Sequence, residues 1–202
     1  LAEKPEVLES SNPIELTSFS KNIEYEKVGF GYLKNELVLE DIDLNIEKGQ
    51  KVAFVGETGA GKTTLVSLLV RLYDPSKGKV KLDGHDLRDI SFKSISSSIS
   101  MVPQEPFLFS ETVNENIRYN RSEINQDKII EAAKLVGADE FIKELPDGYQ
   151  TKIAENGRNL SVGQRQLISF ARALASDPKI LILDEATANI DTESEMLIQD
   201  AI

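Results

Sequence analysis

Residues 56–64 read Gly56-Glu57-Thr58-Gly59-Ala60-Gly61-Lys62-Thr63-Thr64, and no other part of the sequence says more about the fold. It fits the pattern of glycine, four residues, glycine, lysine and serine or threonine that marks a phosphate-binding loop. The pattern has this meaning only between a strand and a helix. Residues 51–55 are predicted to form a short buried strand before the loop. The leucines after the loop recur at helical spacing: Leu65, Leu68, Leu69 and Leu72.

The chemistry of this loop follows from its residue types. Glycines let the backbone turn so that successive N–H groups point at a phosphate, and the helix N-terminus adds partial positive charge. Lys62 is predicted to reach the terminal phosphates, and the Thr63 hydroxyl to hold Mg²⁺. Thr64 is predicted to cap the helix or to touch a phosphate. The alternative interpretation is an ordinary glycine turn, which the flanking strand and helix patterns disfavour.

Composition restricts the class of protein. The chain has 202 residues, a formal net charge of −11 and no cysteine, which excludes disulfides and thiolate metal sites. Such an acidic balance argues against a partner of duplex nucleic acid, whose binding proteins carry basic faces. No apolar run is long enough to predict a membrane span.

Hydrophobic patterns divide the chain into segments. Residues 1–20 are rich in Glu, Ser and Pro, show no period, and are predicted to be a linker or arm. Residues 23–32 and 37–46 alternate and predict an antiparallel pair of strands. Short strands are predicted at 79–82 and 99–102. From 113 to 145 the pattern is helical, with one apolar face formed by Ile129, Ala132, Ala133 and Val136.

The last part of the chain returns to alternating strands and helices. Residues 162–175 predict a helix, 180–183 an apolar strand, and 192–202 another helix. This alternation is typical of an α/β protein with a mainly parallel sheet. We therefore predict a P-loop NTPase core, an antiparallel β subdomain near the N-terminus and an inserted α-helical subdomain.

Two adjacent carboxylates follow the apolar strand at 180–183. Asp184 and Glu185 would lie at the C-terminal edge of the sheet, where such folds bind ligands. Successive side chains diverge along a strand, so the two acids are predicted to act differently. Asp184 would hold Mg²⁺ through its water shell, and Glu185 would polarise an attacking water. A strand that simply ends in solvated acids is the alternative.

The run Leu160-Ser161-Val162-Gly163-Gln164-Arg165-Gln166 narrows the class further. Ser161 is a good N-cap for the helix that follows, and Gly163 permits close backbone approach, so a second helix N-terminus could meet an anion. With this run the chain resembles the nucleotide-binding domain of an ATP-binding cassette (ABC) transporter. The run is similar to the family's signature motif Leu-Ser-Gly-Gly-Gln, with Val162 in place of the first glycine.

The resemblance covers about residues 22–202 and implies roles for further residues. It implies an arm from a membrane domain over 1–20, a nucleotide-binding domain over 21–202 and a helical subdomain over about 105–176. Tyr32 matches the aromatic residue that stacks on adenine. Gln104 matches the glutamine that contacts Mg²⁺ and the attacking water. Ser161, Gly163 and Gln164 would close over the γ-phosphate bound to a second subunit.

The resemblance also implies roles for two loops, and it implies that the family's catalytic histidine is not in this sequence. Ala188-Asn189-Ile190-Asp191 matches the loop that crosses the dimer interface, and Glu155 resembles part of a loop that meets the membrane domain. The only histidine, His85, is predicted to lie in a surface turn. The family's catalytic histidine would follow a further strand after Ile202, so we expect the domain to be incomplete at its C-terminus and this fragment to hydrolyse ATP poorly.

The function implied by the resemblance is that of an ATPase motor for export, at the cytoplasmic face of a membrane. ATP and Mg²⁺ are the implied ligands, with Lys62, Gln104 and Glu185 in the catalytic role. A second nucleotide-binding domain and a transmembrane domain are the implied partners, with no nucleic acid. Three alternatives stay open: a soluble ABC ATPase, a degenerate nucleotide-sensing partner subunit, and a kinase or GTPase with the same type of loop.

Overall fold

The structure is a computed structural model that describes residues 7–33, 36–186 and 190–202. The chain divides into two compact units, Leu1–Ile99 and Ser100–Ile202. Within the described ranges, no helix is both long and apolar enough to cross a membrane.

The first unit is built on an antiparallel sheet. Its strands are β1 (Asn22–Phe30), β2 (Leu39–Glu47), β3 (Lys77–Leu82) and β4 (His85–Asp86), and its helices are α1 (Lys62–Leu69) and α2 (Phe92–Ser98). The strand order is β2-β1-β3-β4. The predicted antiparallel pairing of the first two strands is confirmed, with Tyr25 opposite Leu44 and irregularities in register after it.

The core of the first unit contains side chains from the sheet and from α1. Val28 and Leu82 of the sheet are fully buried, and Leu68 of α1 is nearly so. Gly49, Asp83 and Gly84 lie in the turns of this unit, with positive φ at each residue. His85 is exposed, as predicted, but it lies in strand β4 and not in the predicted turn, because it pairs with Leu82 of β3.

Two predictions near the phosphate loop are wrong. Residues 51–55 form no strand, and Val55 is 94% exposed instead of buried. A short apolar run becomes a strand only where neighbouring strands complete its hydrogen bonds, and the described sheets provide none for it. Leu72 is also exposed, because α1 ends at Leu69 and only Leu65, Leu68 and Leu69 reach the core.

The described part of the N-terminal arm is docked and not loose. Ile14 donates its N–H to the Asp89 carbonyl (2.7 Å), and Ser91 donates its N–H to the Ile14 carbonyl (3.0 Å). The Glu15 carboxylate accepts hydrogen bonds from the hydroxyls of Ser91 (2.9 Å) and Ser94 (3.0 Å). Backbone and side-chain bonds thus hold this segment along the edge of the unit, although its sequence has no period.

Arg71 anchors the same arm near its beginning. Its side chain is buried beside Asp74, and its guanidinium donates to the Leu8 carbonyl at 2.8 Å. The guanidinium also lies 4.8 Å from the ring centre of Phe92, a cation–π contact. A buried arginine needs such acceptors, since an unpaired buried charge is strongly unfavourable.

The second unit is mainly helical. Its helices are α3 (Val113–Arg118), α4 (Gln126–Leu135), α5 (Ala138–Glu144), α6 (Val162–Ala175) and α7 (Thr192–Ala201), and its strands are β5 (Ile99–Val102), which begins at the boundary, and β6 (Ile180–Leu183). Strands β5 and β6 pair. A mainly parallel sheet is not seen among the described residues and stays a prediction.

Helix α6 is the centre of this unit. Ile168 and Phe170 are fully buried in a core shared with α3, α4 and α5. The predicted apolar face of Ile129, Ala132, Ala133 and Val136 is confirmed, since all four residues are buried in this core.

A half-buried arginine, Arg172, ties α6 to α3 and to the segment before it. Arg172 donates to the Asn116 carbonyl (2.8 Å), to the Asn116 side-chain oxygen (3.0 Å) and to the Phe107 carbonyl (2.9 Å). Burial lowers the pKa of Arg172. Its guanidinium lies 5.0 Å from the ring centre of Tyr119. This network holds Phe107, Phe109 and Tyr119 together as a partly exposed aromatic group.

Candidate functional site

The phosphate loop leads directly into α1. Gly59 and Gly61 have φ values of 86° and 88°, in the left-handed region that favours glycine. Gly61 is the N-cap of α1 and has no side chain to satisfy the first backbone N–H groups of the helix. Glu57, Thr58 and Ala60 form an exposed turn, in which the Ala60 N–H bonds the Glu57 carbonyl at 3.1 Å. Helix N–H groups without a side-chain cap are suited to bind an anion.

Lys62 lies across this loop. Its ammonium donates to the carbonyls of Gly56 (2.7 Å) and Glu57 (3.0 Å). A phosphate would attract the same ammonium, because a charged acceptor makes a stronger hydrogen bond than a carbonyl. The residue after it, Thr63, is exposed in the first turn of α1.

Tyr32 lies beside the phosphate-loop helix. It follows β1, which ends at Phe30, and its hydroxyl is 3.0 Å from the Thr64 hydroxyl. Tyr32 is 51% exposed, and its ring meets the rings of Phe30 and Tyr73 in edge-to-face geometry at centroid distances of 5.1 and 5.3 Å. The ring is thus supported on one side and open to solvent on another. Thr64 is not the helix cap, because Gly61 has that position and the Thr64 hydroxyl contacts Tyr32.

The acidic pair follows β6 in the second unit. Asp184 is half-buried and its N–H bonds the Val102 carbonyl at 3.1 Å. Glu185 is exposed, has a φ of 48° and accepts a hydrogen bond from the Gln104 amide nitrogen at 2.8 Å. A left-handed conformation is unfavourable for glutamate by about 1 kcal/mol, and strain of this kind is often found at functional sites. The structure therefore brings together two residues that the sequence placed in separate motifs.

The signature run begins α6 with a capping box. The Gln164 N–H donates to the Ser161 hydroxyl (3.1 Å), and the Ser161 N–H donates to the Gln164 side-chain oxygen (3.0 Å). This reciprocal pair satisfies two backbone donors and fixes the start of the helix. Val162 is 44% exposed at the first helical position, where its side chain displaces nothing from the core. Gly163 is half-buried in the same turn.

Asp191 and Glu155, the remaining predicted residues that the structure describes, make no hydrogen bond to the residues above. Asp191 is the N-cap of α7 and accepts the Ser194 N–H at 2.9 Å, and this hydrogen bond lowers the pKa of its carboxyl. Ala188 and Asn189 of the predicted interface loop lie outside the described residues. Glu155 is exposed and begins a short 3₁₀ helix.

The residues that could hold Mg²⁺ are all oxygen donors: Thr63, Gln104 and Asp184. Hydroxyl, amide and carboxylate oxygens suit this ion, which keeps several waters and commonly binds substrate phosphates as well. In the part of the chain that the structure describes, no cluster of three or more acidic, histidine or cysteine side chains could hold a metal by itself. Each of the three residues therefore offers an oxygen of the type that Mg²⁺ binds, and a bound Mg²⁺ stays a prediction.

Two supporting residues were not predicted from the sequence. Tyr73 supports Tyr32, and Gln166 of α6 donates to the Pro103 carbonyl at 3.2 Å. Gln166 is separated from Pro103 by 63 residues, so no local pattern could indicate the contact.

Comparison with known proteins agrees with these observations. The family model described as ABC transporter matches residues 39–188, so the chain belongs to the ABC transporter family. Within that family it corresponds to the ATP-binding domain.

Similar proteins give the same result. An uncharacterized ABC transporter ATP-binding protein of Bacillus subtilis is 47% identical over 202 residues, which are 100% of this chain and 33% of that protein. An ATP-dependent lipid A-core flippase of Syntrophus aciditrophicus is 46% identical over 198 residues, 98% of this chain and 33% of that protein. The structure of a bacterial Atm1-family ABC exporter with ATP bound matches with a TM-score of 0.92 and 36% identity, covering 97% of this chain and 34% of that chain. The chain thus spans about a third of the length of these relatives.

Proposed function

We propose that this chain binds and hydrolyses ATP as the motor domain of an ABC exporter, at the cytoplasmic face of a membrane. The hydrogen bond between Gln104 and Glu185 carries the proposal, because it joins the two side chains expected to hold one water molecule. Family membership and the geometry of the phosphate loop support it. The printed names of two relatives, a lipid A-core flippase and a fatty acid ATP-binding/permease protein of Mycobacterium bovis, favour transport over a soluble ATPase.

ATP binding would use residues of the first unit. The exposed face of Tyr32 would stack on adenine, and the backbone N–H groups at the start of α1 would bind the phosphates. Lys62 would leave the carbonyls of Gly56 and Glu57 and pair with the terminal phosphates. Thr63, together with Gln104 and Asp184, would hold Mg²⁺, which when bound neutralises charge on the phosphate oxygens.

Hydrolysis would depend on Glu185 and Gln104. The Glu185 carboxylate would accept a proton from the attacking water, and the Gln104 amide would orient both partners. Phosphoryl transfer needs little covalent chemistry from the protein, so positioning of this kind accounts for much of the rate.

Transport would require a second nucleotide-binding domain. The helix N-terminus at Ser161, Gly163 and Gln164 would close over the γ-phosphate held by that partner, since two helix N-termini can share one anion. Hydrolysis would remove the shared charge and let the domains part. The helical region, with its exposed aromatic group at Phe107, Phe109 and Tyr119, would pass this motion to a transmembrane domain.

The test uses the complete protein with two substitutions. Lys62→Ala should abolish ATP binding in equilibrium titration. Glu185→Gln should leave ATP binding within about twofold but lower steady-state hydrolysis by at least about a hundredfold, the scale of a lost general base. Normal turnover by Glu185→Gln would refute the assigned base. ATP binding without hydrolysis by the unsubstituted protein would favour the nucleotide-sensing alternative.

A further inference from the structure

Gln166 is a buried polar residue in the second turn of α6. Its side chain is 1% exposed, and its amide nitrogen donates to the Pro103 carbonyl at 3.2 Å. Its amide oxygen has no hydrogen-bond partner, and among the described residues it is the only buried side-chain nitrogen or oxygen atom in this condition. The hydrogen bond to a carbonyl fixes which end of the amide is the nitrogen.

The unpaired oxygen of Gln166 lowers the stability of the folded state. A buried acceptor without a partner costs about 1–3 kcal/mol, whereas an apolar side chain of similar shape would avoid that cost. Gln166 also stands among apolar neighbours on its helix, with Leu167 and Ile168 buried beside it. The single hydrogen bond that it makes therefore indicates a role other than packing.

That hydrogen bond acts on a segment of three consecutive residues. The Val102 carbonyl accepts the Asp184 N–H at 3.1 Å, the Pro103 carbonyl accepts the Gln166 amide, and the Gln104 amide donates to Glu185 at 2.8 Å. The Pro103 carbonyl and the Gln104 N–H belong to one planar peptide group. Holding the carbonyl thus fixes the plane from which the Gln104 side chain extends, and the proline ring fixes the φ angle before it.

We propose that Gln166 is a positioning residue for hydrolysis, which holds the Gln104 amide against Glu185. This proposal rests on the function proposed above for Gln104 and Glu185. Gln166 is the last residue of the signature run and lies two residues after Gln164 on the same helix. One side chain therefore joins the helix start that would meet the partner's nucleotide to the pair that would orient water. Engagement of Ser161–Gln164 would then be communicated to the hydrolytic pair within the same chain.

The test is the substitution Gln166→Met in the complete protein. Methionine keeps the length and removes both amide atoms. Relief of the unpaired oxygen offsets loss of the hydrogen bond to the Pro103 carbonyl, so the thermal midpoint should stay close to that of the unsubstituted protein. The kcat for ATP hydrolysis should fall about tenfold, while the KM for ATP stays within about twofold, because the phosphate loop is untouched. Gln150→Met, at an exposed position, is the matched control and should change neither constant. A kcat within twofold of the unsubstituted protein would overturn the proposal.

A double-mutant cycle separates positioning from a general structural effect. If Gln166 acts through Gln104, the loss from Gln166→Met should largely disappear when Gln104→Ala is already present. Additive losses would overturn the proposal. If Gln166→Met does not fold, Gln166→Leu is measured in the same cycle with the same expected result. Glu185→Gln keeps the two proposals distinct: loss of hydrolysis there with normal kcat in Gln166→Met would refute only the role of Gln166.

Discussion

The hydroxyl oxygens of Tyr32 and Thr64 lie 3.0 Å apart, which joins the segment that follows β1 to the first turn of the phosphate-loop helix. The Tyr32 ring packs against the rings of Phe30 and Tyr73 in edge-to-face geometry, and the residue remains half exposed. Substitution of Tyr32 can test the ring and the hydroxyl separately. Phenylalanine keeps the ring without the hydroxyl, and leucine keeps neither.

We predict that Tyr32→Leu weakens ATP binding by about fivefold, since an aromatic stacking contact is worth about 1 kcal/mol. Tyr32→Phe should bind ATP within about twofold of the unsubstituted protein. Isothermal titration with ATP and with inorganic triphosphate, which has no base, measures both. An equal loss of affinity for the two ligands in Tyr32→Leu would contradict stacking on adenine.

We predict that Gly61→Ala destabilises the fold more than Gly49→Ala does. Both glycines have φ values above 80°, which costs alanine about 1 kcal/mol. At Gly61 the added Cβ would also lie 2.7 Å from a methyl group of Leu39, whereas at Gly49 it would meet no atom within 4 Å. The crowding at Gly61 should add roughly 1 kcal/mol or more to the loss in urea unfolding. Equal losses at the two positions would show that the loop relaxes without resistance.

We predict that Arg172→Lys lowers the free energy of unfolding by about 2–3 kcal/mol, because lysine cannot reach the three acceptors at Phe107 and Asn116 and leaves buried groups unpaired. The matched control is Arg158→Lys at an exposed position, which should change stability by less than about 0.5 kcal/mol. Thermal unfolding measures both variants. If the two substitutions have the same effect, the hydrogen bonds of Arg172 contribute nothing specific to stability.

A further prediction concerns acid stability and Asp83. Burial raises the pKa of this carboxyl, but hydrogen bonds from the N–H groups of Lys21 and Ser20 outweigh it, so the net pKa is lowered. A lowered pKa in the folded state means that the stabilisation is present above the ordinary carboxyl pKa of about 4 and is lost as pH falls through the folded value.

Asp83→Asn tests this directly, since asparagine tolerates the positive φ of 52° at this position. At pH 7 the substitution should cost roughly 1 kcal/mol after allowance for solvent screening, and the difference should shrink below about pH 4. Urea unfolding at several pH values gives the comparison. A difference that stays constant from pH 7 to pH 3 would contradict the role of the charge.

Local signals explain which parts of the fold could be predicted. The bounds of α6, β5 and β6 agree with the prediction, because a serine cap and short apolar runs mark them within a few residues. The glycines before Lys62 are likewise a local signal, which predicts the start of α1.

Contacts between distant residues explain what could not be predicted. The bonds of Gln104 to Glu185, Gln166 to Pro103 and Arg172 to Asn116 join residues that are 81, 63 and 56 positions apart. Periodicity within a window of about 18 residues contains no information about such pairs. The strand predicted at 51–55 was wrong for a related reason, since a strand depends on its neighbours more than on its own composition.

The hydrogen bonds of the N-terminal arm limit how far this segment can extend. A free linker absorbs tension by straightening, but this one is fixed to Arg71 at Leu8, to the backbone of Asp89 and Ser91 at Ile14, and to two serine hydroxyls at Glu15. A displacement of Leu8 would therefore act on Arg71, two residues after the end of α1, the helix of the phosphate loop. The arm would therefore transmit a displacement instead of absorbing it. What restrains it is a small number of hydrogen bonds and not regular secondary structure.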